Sequence, residues 1–106
     1  MEKRYKIVVN VPEGYTDNVR KAMGDAGAGK IGNYSHCSFS VKGVGRFKVE
    51  VGANPAIGAV GAFEEVAEER IESFCTADIL HEVLSAIKQA HPYEEPAIDV
   101  YAVEVV

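Results

Sequence analysis

Residues 76–96 place the tightest constraint on what this chain can become. Ile79, Leu80, Val83, Leu84, Ile87 and Ala90 recur at helical spacing and make one wide apolar stripe. Thr76 stands at the N-cap position, with Asp78 in the first turn, where a negative charge suits the helix dipole. His91-Pro92 ends the helix, because proline disfavours helical backbone at the residue before it. Residues 97–105 (AIDVYAVEV) then read as a strand. A helix apolar along one stripe has to lie on another layer, and a sheet is the layer these flanks offer.

The first part of the chain repeats that arrangement. Residues 5–11 (YKIVVNV) place Tyr5, Ile7, Val9 and Val11 on one face of a strand, and Val8 adds to the other. Pro12-Glu13-Gly14 breaks it. Thr16 is the expected cap of a second helix, with Val19, Ala22, Met23 and Ala26 as its buried face and Gly27 as its stop. Between the two halves, residues 36–41 and 46–51 alternate as two short strands. Lys42-Gly43-Val44-Gly45 reads as a hairpin turn between them. Residues 52–61 (GANPAIGAVG) form a loop of small residues, of a length that usually serves function or assembly.

Residues 63–74 (FEEVAEERIESF) are ambiguous. Phe63, Val66, Ala67, Arg70, Ile71 and Phe74 make a helical stripe, and the glutamates favour helix. Topology asks instead for a strand, since the next helix starts directly afterwards. Strand–helix–strand halves of this kind build an α+β fold, the ferredoxin-like split βαβ arrangement: an antiparallel sheet with two helices on one face.

Composition removes several function classes. The 106 residues suit one domain spanning 1–106, and a chain of that size buries a core without staples. The formal charge is −5, with no basic cluster beyond Lys3-Arg4, which argues against nucleic acid or an anionic membrane as partner. No apolar run approaches membrane-spanning length, and no signal segment is expected before the first strand. The only cysteines, Cys37 and Cys75, are too few for a disulfide scaffold, so reduced thiols and a cytoplasmic location are expected.

Gly27-Ala28-Gly29-Lys30-Ile31-Gly32 fits a dinucleotide fingerprint, and residues 24–30 fit the start of a P-loop. Both motifs need a strand before and a helix after, so that helix-terminal N–H groups face phosphate. Here a helix enters and a strand leaves, and Ile31 stands where a magnesium-binding hydroxyl is needed. The plainer reading is a helix C-cap and a tight turn. His36 and Cys37 point to opposite sides of a regular strand. Cys37 reads as a small core residue, whereas His36 could bind a metal or carry a proton. The proline-bracketed turn 91–96 offers His91, Glu94 and Glu95, good ligands for a first-row metal and equally an acid–base set. Against this, His91 could simply serve the helix end. His81 reads as solvated surface, as does the acidic run, although Glu64, Glu68 and Glu72 would share one face of a strand.

Residues 29–39 (GKIGNYSHCSF), 52–61 (GANPAIGAVG) and 91–96 (HPYEEP) together closely resemble the small PII/CutA-like domain inserted in bacterial proteins of the NGG-interacting-factor-three family, labelled GTP cyclohydrolase type-one homologues. The resemblance runs from about residue 5 to 105. The segment 91–94 is also similar to the one before the last strand of CutA, the divalent-cation-tolerance protein. It implies a ferredoxin-like (PII/CutA-like) fold and settles residues 65–74 as a strand. CutA and PII proteins are trimers, so a homo-oligomer, trimer or dimer, is implied. PII proteins bind nucleotides between subunits, but their ligand residues find no match here. The larger family carries a two-metal site on a core domain with no counterpart in these residues. Its metal ligands and any hydrolase activity therefore do not carry over, and a free-standing insert is expected.

The expected function is a non-enzymatic, oligomeric binding or regulatory module for a divalent metal ion or small ligand. Its surface would combine Asn33, Tyr34 and His36 with the 54–61 loop and with Glu94 and Glu95. His36, His91 and Glu94 are the metal-ligand candidates. The alternatives are an assembly module without a small ligand and a metal-dependent hydrolase.

Overall fold

The structure, a computed structural model, describes residues 3–106. Four strands, β1 (Lys3–Pro12), β2 (Phe39–Lys48), β3 (Phe63–Thr76) and β4 (Ile98–Glu104), form one antiparallel sheet in the order β2-β3-β1-β4. Helices α1 (Thr16–Asp25) and α2 (Leu80–Ala90) cover one face, and a 3-10 turn (Ala77–Ile79) leads into α2. This is the ferredoxin-like α+β arrangement.

β1 lies between β3 and β4. Ile7, Val9 and Val11 point to the helices and are fully buried, joined by Ile71 and Cys75 of β3. Val19 and Met23 of α1 and Val83 and Ile87 of α2 close the core from the other side. Each such side chain contributes about 1.5–3 kcal/mol through burial. Val8, on the opposite face, is also buried, at 5% exposure.

Residues 63–76 form a strand, as the resemblance implies and the local helical stripe does not. β3 pairs with β1 on one side and β2 on the other, and two ladders outweigh helix propensity. Its 14 residues, at about 3.3 Å each, match the longest dimension of the molecule, 47 Å. β2 and β3 continue as a two-stranded ribbon beyond the end of β1.

The hairpin expected at residues 42–45 does not form. β2 runs straight through them, with Gly43 opposite Glu68 and Gly45 opposite Val66. Neither glycine has the positive φ that a hairpin turn needs. Gly45 serves a close approach instead: a Cβ there would lie 2.1 Å from Glu68 Oε1. The true β2–β3 connection is the 49–62 loop, closed by bonds from Val49 N to Ala62 O and from Gly61 N to Val49 O.

Both expected caps differ in detail. Thr16 is the first residue of α1 and buried, and its hydroxyl has no hydrogen-bond partner among the described residues. Thr76 does sit at the N-cap position, but its hydroxyl donates to the Asp78 carboxylate and caps no backbone N–H. Gly27, at φ +111°, ends α1 in the left-handed conformation, so the glycine-rich stretch is a helix stop.

Candidate functional site

The 29–38 loop folds back onto the end of α1. Cys37 N donates to Gly29 O, and Ser73 Oγ of β3 donates to Cys37 O. His36 adopts φ +60°, which only a well-braced non-glycine residue holds. Its ring lies directly on Gly24, where a Cβ would be 2.0 Å from Cδ2. Nε2 contacts Asp25 Oδ1 at 2.9 Å, and Nδ1 contacts Ser35 Oγ at 2.9 Å. Lys21 first, and His36 after it, hold the Asp25 carboxyl below its usual range. The order carboxylate–imidazole–hydroxyl could relay a proton. The three groups lie on the surface, His36 and Asp25 about half exposed, and the adjoining depression encloses no ligand-sized cavity. Asn33 and Tyr34 are exposed on the tip of this loop, Tyr34 at 75%.

His91 is elsewhere and differently employed. It is buried, and its Nε2–H donates to the carbonyl of Asn10 at 2.7 Å. A carbonyl only accepts, so the ring is the Nε2–H tautomer, and its Nδ1 accepts from Tyr93 N–H at 3.1 Å. No lone pair is left for a metal. The ring thereby fixes the turn that follows α2 to the end of β1.

His36, His91 and Glu94 are not brought together. Helix α1 returns from the end of β1, and its ten residues rise about 15 Å before reaching Asp25, where His36 is held. His91 stays at the start of that path, on Asn10. Among the described residues no group of three His, Cys, Asp or Glu side chains could hold a metal ion. The residues present do not fit a shared metal centre of the expected composition.

The 52–61 loop and the 91–96 turn do meet. Asn54 N donates to Glu94 Oε1 at 2.9 Å, linking them. Beneath lies a cleft of about 480 Å³ between β2, the loop and the turn. Phe47 and Tyr93 wall it edge to face, with centroids 6.0 Å apart, and Pro55 and Ile57 roof it. Glu95 also lines it. Of the expected ligand surface, then, Glu94 and Glu95 belong to this cleft, while Asn33, Tyr34 and His36 belong to the other end of the molecule.

The central group of the cleft is Glu68, which sequence reasoning left in a solvated acidic run. It is only 8% exposed and lines the cleft. Tyr93 Oη donates to its Oε2 at 2.9 Å. Burial, and then the Glu68 carboxylate, push the Tyr93 phenol well above its ordinary range, so it remains a donor. The neighbouring cations are engaged elsewhere: Arg46 with Glu65 at 3.2 Å, and Lys48 with Glu50 at 3.8 Å. Pairing Glu68 with Tyr93 requires knowing that β3 passes under the turn, which no local pattern states.

An open sheet layered on one side by two helices, with a ligand-sized cleft at one end, defines a ferredoxin-like domain of the CutA type. In agreement, CutA from Archaeoglobus fulgidus, a periplasmic divalent cation tolerance protein, superposes with a TM-score of 0.71 at 17% identity, over 97% of this chain and 86% of that one. A Bacillus cereus protein related to NIF3 superposes with a TM-score of 0.85 at 47% identity, over 98% of this chain and 26% of that one. Proteins named GTP cyclohydrolase 1 type 2 homolog are similar in sequence. The one from Halalkalibacterium halodurans is 54% identical over 100 residues, 94% of this chain and 27% of its own length. The one from Mycobacterium tuberculosis is 54% identical over 97 residues, 92% and 26% respectively. No protein-family profile matches the chain. Over nearly its whole length the chain is similar to a segment of proteins named GTP cyclohydrolase 1 type 2 homolog and of a NIF3-related protein. It spans about a quarter of the length of these curated relatives.

Proposed function

We propose that this domain is a non-enzymatic binding module that associates with copies of itself and holds a small ligand in the cleft under the 49–62 loop. The observation that carries this reading is the cleft itself. It joins two segments far apart in sequence, has the volume of a small-molecule site, and combines apolar walls with a few placed polar groups. The Ser35–His36–Asp25 chain lies on the open surface with no enclosing cavity to hold a substrate in place, so the cleft is the better binding site.

Self-association is supported by the uncovered face of the sheet. Phe39, Val41 and Tyr101 alternate onto that face and are 66%, 48% and 50% exposed. Large apolar groups at both edges of that face, flanking the Lys6–Glu72–Arg70 charges between them, suit a mixed contact with a second sheet. Assembly without a ligand is the second reading, and it rests on that face alone.

Titration followed by backbone amide NMR separates the two. A panel of zinc, manganese, ATP and small amines should yield at least one saturable shift pattern centred on Phe47, Glu68, Tyr93 and Glu94. A panel that leaves these amides unmoved overturns the ligand reading and leaves assembly.

A further inference from the structure

Glu68 is a buried carboxylate with no cation beside it. No lysine, arginine or histidine among the described residues lies within ion-pair distance of it. Oε2 accepts from Tyr93, whereas Oε1 has no protein donor among the described residues. Oε1 instead packs against Gly45, whose missing side chain makes the room. Oε1 is not among the buried unpartnered atoms, so it stays open to the cleft, while most of the side chain is removed from water and a single phenol supplies its one hydrogen bond.

The rest of the cleft has the same sign. Arg46 and Lys48 face Glu50, Glu68, Glu94 and Glu95, so acids outnumber bases on its walls. A nucleotide or other polyanion would meet repulsion there. A hard divalent cation would need six or more oxygens, but Glu94 is tied to Asn54 N and no acidic cluster converges among the described residues. The walls beside Glu68 are aromatic and aliphatic, and aromatic rings attract organic cations.

We infer that the cleft binds an organic cation, an ammonium or guanidinium group on a short apolar stem, with Glu68 as its counter-ion. The charged end donates to Glu68 Oε1 and to the Tyr93 phenol oxygen, whose own proton is committed to Oε2. The stem lies along Phe47, Pro55 and Ile57. This inference rests on the binding reading above and adds the ligand class to it.

Two probes distinguish a free amine from a protein side chain: agmatine, and N-acetyl-lysine methylamide. Calorimetric titration of the whole chain should give saturable millimolar or tighter binding of at least one. Glu68→Gln keeps the acceptor for Tyr93 and removes the charge, so affinity should fall about tenfold or more. Gly45→Ala pushes the flexible carboxylate aside without touching the core and should weaken binding in the same direction. Circular dichroism confirms that both variants are folded. Binding of neither probe, or equal affinity in a folded Glu68→Gln, overturns the inference. If ATP or zinc shifts the cleft amides while both amines fail, the cation class is wrong and the binding reading stands.

Discussion

At the scale of single residues, the histidines divide by what their ring nitrogens touch. His91 uses both on backbone groups, so His91→Ala removes two part-buried hydrogen bonds together. A loss of about 2–3 kcal/mol in urea unfolding is expected; a loss below about 0.5 kcal/mol, the usual size for a surface change, contradicts the assignment. Gly29 and Gly52 make a matched pair. Both have positive φ, but a Cβ at Gly29 meets the Cys37 carbonyl at 2.3 Å, whereas at Gly52 nothing lies within 4 Å. Gly29→Ala should therefore cost clearly more than the roughly 1 kcal/mol expected of Gly52→Ala. His91, Glu94 and Glu95 were legible as a special turn because two prolines bracket them. Glu68 was not, because its partner Tyr93 lies in a distant turn. Gly45 was misread for the same reason: its glycine answers a carboxylate across the ladder and not a turn.

At the scale of elements, the two helices and the first and last strands, β1 and β4, were readable, since their apolar residues mark them from end to end. β3 was not, because its glutamates and spacing fit a helix locally and only its two neighbours decide the matter. Ile71 tests that placement: it is fully buried against both helices, so Ile71→Ala should cost about 2–5 kcal/mol in denaturant. Between β1 and β3, Lys6 Nζ lies 2.9 Å from Glu72 Oε1 and holds its carboxyl below the ordinary 4.5. The folded-state value is the lower one, so this contact stabilises above that ordinary value. The contribution fades as pH falls through the folded value. The stability difference between the native chain and Glu72→Gln should therefore shrink on acidification below about pH 4.5, and shrink in high salt as well. A difference that is flat across that window contradicts the pairing.

At the scale of the whole molecule, one face of the sheet is covered and the other is not. Phe39→Glu and Tyr101→Glu place charge on the uncovered face without entering the core, and sedimentation velocity should show each shifting an oligomer toward monomer. The relation to the PII/CutA-like domain of the NGG-interacting-factor-three family was legible in the short segments at 29–39, 52–61 and 91–96. Their division between two ends of the domain was not, since it depends on α1 running back along β1. Native mass spectrometry of the protein as purified, without chelators, tests self-association and ligand binding together. The expected result is an oligomer carrying a small cationic adduct that is lost in Glu68→Gln. A bare monomer would contradict both halves of the account.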